Sequence, residues 1–142
     1  MIRRTPETIF SVIVLILMVT SCSKELLIAE PTYHRIADEI VRVEVPFKAS
    51  DARFIRVEEI YLTLTTHECG SEENRYPAET FVGHSKVSDF DFPINGELVS
   101  FHSDIPVEVF DRYARPCMVL EGGSYFGRTI SGKSTSIEPG EL

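Results

Sequence analysis

Between Gly127 and Ser134 the chain reads Gly-Arg-Thr-Ile-Ser-Gly-Lys-Ser, the spacing of a loop whose backbone amides and lysine cradle nucleotide phosphates. That chemistry needs a strand before the loop and a helix after it, with the helix N-terminus facing the phosphates. Pro139 and Gly140 follow Ser134 closely and deny that segment a helix. The match therefore reads as a turn-rich hairpin, and nucleotide is excluded as a partner. His102-Ser103-Asp104 holds the residue types of a hydrolase triad. Triad members, however, meet from separated positions, and neighbours on a strand point to opposite faces. His34, His67, His84 and His102 fall at no metal-binding spacing and read as surface side chains. Asp89 and Asp91 could share a strand face around calcium with Glu72, but a full oxygen cage is missing and a solvated face is the simpler reading. These patterns assign no catalytic residue, no metal ligand and no cofactor, and the chain is expected not to be an enzyme.

The N-terminal residues say where the chain goes. Arg3 and Arg4 precede an apolar run from Ile9 to Val19. A basic region, a short apolar stretch and small residues before a cut mark a secretory signal peptide. As a helix, the run would rise only about 16 Å against roughly 30 Å of hydrocarbon, which makes an uncleaved transmembrane anchor the poorer reading. Plain secretion is the other alternative. Val19-Thr20-Ser21-Cys22 resembles the lipobox of bacterial lipoproteins, an aliphatic residue and two small residues ahead of a cysteine. The resemblance implies cleavage before Cys22, diacylglycerol on its thiol and usually an N-linked acyl chain such as palmitate. Two acyl chains already hold a protein durably on a membrane. With Ser23 rather than Asp after the cysteine, the resemblance further implies outer-membrane sorting in a Gram-negative host, the domain facing the periplasm.

Cleavage would leave Cys22 to Leu142, 121 residues, enough for one domain with one core. Without Arg3, Arg4 and Glu7, the 14 basic and 22 acidic side chains become 12 and 21, a net charge of −9. Such a charge excludes nucleic acid, which needs a basic footprint. It disfavours lying flat on an anionic leaflet, suits a cationic partner, and equally serves to keep an exported domain soluble. With Cys22 taken by lipid, Cys69 and Cys117 remain in an oxidising compartment and are expected to pair. They stand 48 positions apart, so the cross-link should stabilise the fold by roughly 4 kcal/mol. Zinc is the competing use, but only His67 lies nearby and no second Cys or His pair exists.

The elements that would position these residues are short strands. Residues 1–21 form the signal peptide and 22–37 a polar tether carrying Pro31, leaving 38–142 as the folded domain. Val41, Val43, Val45 and Phe47 alternate with polar residues, as a half-buried strand does. Ile55 and Val57 hold one parity and Ile60, Leu62 and Leu64 the other, predicting a bulge or corner at Glu58-Glu59. Thr63, Thr65 and Thr66 are assigned to its outward face. His67 to Pro77 reads as an exposed loop and Thr80 to Val87 as a weak strand. Asn95-Gly96 between two apolar runs predicts a hairpin. Asp104 to Ala114 is expected to form a short helix, Cys117 to Leu120 a central strand, Gly122-Gly123 a turn, and Tyr125 to Ile137 one or two more strands.

About seven strands and no long helix argue for an all-β protein, a small β-sandwich of immunoglobulin-like or transthyretin-like layout with one disulfide. The immunoglobulin sequence signature is absent: Tyr113 lies four residues before Cys117 instead of two, and the chain has no Trp. The expected function is that of a membrane-anchored, non-enzymatic protein-binding or accessory module of the envelope, of the secretion-system or immunity type. The alternative is an inhibitor of a cationic periplasmic enzyme such as lysozyme, and the third reading an envelope enzyme. Glu68, Glu72, Glu73 and Tyr76, with Tyr113 brought near by the disulfide, are the residues expected to meet a protein partner of basic character.

Overall fold

In a computed structural model of the chain, residues 26, 28–138, 140 and 142 are described. The Val19–Cys22 motif and its proposed lipid attachment lie outside them. The described residues form two antiparallel sheets packed face to face, an all-β sandwich. The first sheet is ordered β1 (Thr32–Ala37), β2 (Ile40–Lys48), β7 (Leu98–Pro106), β5 (Phe81–Val82), β6 (Ser85–Lys86). The second runs β10 (Thr135–Ser136), β8 (Pro116–Gly123), β3 (Tyr61–Glu68), β4 (Tyr76–Glu79), with β9 (Thr129–Ser131) also on β8. Ten strands thus replace the expected seven or so, because five of them have only two to four residues.

Period-two patterning builds the core. Val41, Val43, Val45 and Phe47 of β2 stand opposite Ile105, Ser103, Phe101 and Val99 of β7, all buried. Leu62 and Leu64 of β3, with Met118 and Leu120 of β8, face them from the second sheet. Phe47, Phe92 and Phe101 interlock, with ring centroids 4.6 Å and 5.3 Å apart.

Several local expectations give way. Thr32 to Ala37, read as tether, is β1, registered on β2 from Thr32–Glu44 to Ala37–Ile40; the folded unit therefore starts before residue 38. Ile55 and Val57 belong to helix α1 (Ala49–Val57), not a strand. Ala49, Ala52 and Ile55 recur every third residue and are buried, a helical stripe that the pair Ile55 and Val57 disguises. The parity slip is the helix end itself, where Glu59 takes φ 49°. No strand precedes Asn95-Gly96: Phe90 turns at φ 56°, Pro93 follows, and pairing begins only at Leu98. β7 runs through Pro106, which leaves four residues, Val107–Phe110, as helix α2.

Gly122 and Gly123 continue β8, and the chain turns later, at Gly127 with φ 82°. A Cβ on Gly122 would overlap the Tyr61 carbonyl oxygen, so glycine is what lets β8 lie this close to β3. Thr65 and Thr66 are both buried, although only Thr63 and Thr65 share the outer face. That face is covered because Arg75 and Glu121 fold over it.

Candidate functional site

β3 and β8 run side by side from Tyr61–Gly123 at one pole of the sandwich to Glu68–Pro116 at the other. Just past the second pole, Cys69 and Cys117 are joined, Cα to Cα 5.0 Å. Cys117 projects from the outer face of β8, and Cys69 reaches it from the residue after β3. The Cys69 amide also donates to the Arg115 carbonyl at 2.8 Å, so the staple and the backbone hold the same corner. The loop from Cys69 to Arg75 hangs from this corner and turns at Asn74, whose φ is 52°.

A surface hollow of about 650 Å³ opens there, lined by Glu68, Glu73, Asn74, Tyr76, Arg112 and Tyr113 among others. Four of the five residues singled out in the sequence meet in it. Glu72 does not: it stands on the rim, exposed, with Arg75 at 2.9 Å. The charge is more balanced than the sequence implies. Arg75 spans Glu72 and Glu121, the latter at 2.8 Å, and Thr65 donates to the other Glu121 oxygen. Glu68 accepts from the Arg115 amide at 3.1 Å through both oxygens. Arg112 lies over the Tyr76 ring, 5.7 Å from its centroid. Among the described residues, Glu73 has no cation at ion-pair distance, its own amide being held by Ser71. Arg75, Arg112 and Asn74 were missed in the sequence, where nothing separates them from any exposed polar side chain.

His67 is buried, not a surface side chain, and lies behind this hollow. Its Nδ1 is 2.9 Å from the Glu68 carbonyl and 3.1 Å from that of Ser71, and its Nε2 is 3.3 Å from Ser134 Oγ. Two carbonyls at Nδ1 call for a proton there, which leaves Nε2 to accept from the serine. This is a nucleophile–base contact in form, but carbonyls stand where a triad has its carboxylate. Ser134 lines neither hollow described here. The phosphate-loop spacing that contains Ser134 is turn and strand: β9 lies within it, β10 follows it, and Lys133 pairs with Glu30 at 3.7 Å.

His102 and Asp104 occupy the outer face of the first sheet, while Ser103 points inward and is fully buried. A second hollow of about 550 Å³ lies on that face, between Arg42, Glu44, Phe81, His84, His102 and Asp104. Arg42 grips Asp104 with two hydrogen bonds of 2.7 and 2.9 Å. That grip holds the Asp104 carboxyl below the usual range and raises the guanidinium still further. Burial under Phe81, whose ring stacks at 5.9 Å, and then the charge of Arg42 push the His102 pKa down. Among the described residues no three His, Cys, Asp or Glu side chains gather to hold a metal. Compared with protein-family models, curated proteins and solved structures, the chain matches none.

Proposed function

We propose that the protein is an envelope lipoprotein, anchored through Cys22, that binds another protein at the hollow beside the disulfide without catalysing a reaction. The observation that carries this is the convergence of Glu68, Glu73, Tyr76 and Tyr113 on one disulfide-braced corner. Loops on a rigid sandwich make recognition surfaces, and tyrosine offers contact area at low entropy cost. The open carboxylate of Glu73 favours a basic side chain from the partner. The secretion-system accessory and immunity-type roles are both of this kind.

The same open carboxylate favours a second reading, inhibition of a cationic periplasmic enzyme of the lysozyme type. Adding the purified protein to lysozyme and following cell-wall clearance separates the two.

The test of the main reading compares partner capture from envelope extracts by the native protein, by Lys133→Ala and by the pair Glu72→Lys/Glu73→Lys. All three are first checked for folding by circular dichroism. Capture should persist with Lys133→Ala and drop with the pair, most at low salt. Loss with Lys133→Ala alone would place the interface elsewhere. The anchor is tested by mass spectrometry of the membrane fraction, which should find an acylated Cys22 at the N-terminus. An unmodified Cys22 in a soluble product would refute it.

A further inference from the structure

The pole opposite the hollow exposes large hydrophobic side chains among charged ones, Glu58, Glu59, Glu97 and Arg128. Val57, Tyr125 and Phe126 are 75%, 78% and 90% exposed, the three highest values among the large hydrophobic side chains described. An ion pair between neighbouring residues brings their segments to one pole. Tyr125 and Phe126 form the tip between β8 and β9, and Val57 ends α1, next to Glu58, which pairs with Arg128 at 3.3 Å. Leu98, exposed at the start of β7, sits opposite Lys48, where β2 hands over to α1.

The tip is braced. The Tyr61 and Tyr125 hydroxyls are 2.7 Å apart, and the Tyr61 ring meets the edges or faces of Tyr125 and Phe90 at 5.2 and 4.9 Å. Arg128 lies over Phe54 at 5.3 Å. A braced, exposed aromatic pair beside cations has the composition of an interfacial anchor. The outward stripe of α1, Ser50, Arg53 and Val57, adds a cation, and Glu58 and Glu59 follow it.

The path of the chain bears on what could cover this pole. Ile28 lies against Gly132, Glu30 against Lys133, and the Tyr33 hydroxyl against the Glu138 amide. Residues 28–33 therefore run alongside 132–138 in the same direction. Read from Tyr33 back to Ile28, this segment leads toward β9 and the Tyr125–Phe126 tip. Leu26, already packed on the core, is four residues from Cys22, a reach of at most ~14 Å.

We propose that the Val57–Tyr125–Phe126 pole seats in the headgroup–acyl boundary of the bilayer that holds the Cys22 lipid. This rests on the anchor reading and sharpens it, because the proposed tether is too short to lift the domain clear. The eight residues of β3 separate the two poles by roughly 23 Å, so the seated domain turns the Glu73 hollow away from the membrane.

The chain has no Trp, so Phe126→Trp in the full-length protein is a single reporter and Glu72→Trp its counterpart at the far pole. Each is reconstituted into phosphatidylcholine vesicles carrying brominated acyl chains, and the mass of the Cys22 peptide is read from the same sample. Trp emission at 126 should shift to the blue and lose intensity to the brominated lipid, while that at 72 should do neither. Acylated protein in which both positions are quenched equally, or neither is, overturns the seat and leaves the anchor standing. Quenching at 126 with an unmodified Cys22 sinks the anchor and, with it, the seat beside a Cys22 lipid, leaving a membrane contact of another origin. With neither acylation nor quenching at 126, both fall.

Discussion

The Tyr113 hydroxyl donates to the backbone carbonyls of Asn74 and Thr66. One side chain thus ties the segment before β8 to the disulfide loop and to β3. Tyr113→Phe keeps the ring and removes only these bonds, which should cost about 1 kcal/mol. The larger effect is local: amides from Ser71 to Tyr76 should exchange faster by NMR while the central strands keep their protection. Unchanged exchange in the loop would show that the disulfide alone holds the hollow.

Reduction should act on the same corner from the other side. Cys69 and Cys117 are 48 residues apart, and opening the cross-link should lower stability by roughly 4 kcal/mol. Denaturant titrations with and without a phosphine reductant measure this, with Cys69→Ser/Cys117→Ser as the permanent equivalent. Coincident midpoints for the oxidised and reduced forms would leave the bond energetically idle.

Glycines separate close approach from backbone conformation. At Gly122 an added methyl would overlap the Tyr61 carbonyl and come within 2.9 Å of a Leu62 methyl, whereas at Gly96, φ 74°, nothing lies within 4 Å. Gly122→Ala should therefore force β8 from β3 and cost about 1–3 kcal/mol or more. Gly96→Ala meets only left-handed strain, about 1–2 kcal/mol. Thermal melts of the two variants should rank them in that order.

The sandwich and its disulfide were legible because alternation in β2 and the apolar run Cys117–Leu120 of β8 are strong signals, and because setting Cys22 aside leaves one pairing. Four residues of the hollow were legible through the same disulfide, which brings Tyr113 to the 69–75 loop. What sequence could not resolve was decided by tertiary context. α1 carries only three small or β-branched core residues, Ala49, Ala52 and Ile55, too few for a helical period to outweigh the strand-like pair beside it. Asn95-Gly96 supplies the turn chemistry of a hairpin, but Phe92 is drawn into the core against Phe101 instead of pairing as a strand. The exposed hydrophobic pole was hidden because Val57 is far in sequence from Tyr125 and Phe126, and their segments come together only in the folded sandwich.

The outer face of the first sheet should make stability depend on pH. His102 is faced by Arg42 and Glu44 from β2, Asp104 from its own strand, Phe81 from β5 and His84 beyond it, with His34 of β1 across Arg42. Burial, then Arg42, lower its folded pKa below the unfolded value of 6.5. Between those two values the unfolded chain binds more protons than the folded one, so stability rises with pH through that window. On acidification, the His102 contribution is intact above 6.5, declines as pH falls toward the folded pKa, and levels off below it. Asp104 acts at lower pH. Held down by Arg42 from 3.8, it contributes above that value, and the contribution is lost as pH falls through its folded pKa. The pair is partly solvated, which shrinks the effect. Denaturant titrations from pH 8 to pH 3 should show both segments. His102→Gln should flatten the upper one, and Asp104→Asn the lower. An upper segment that survives His102→Gln unchanged would mean that another group carries it.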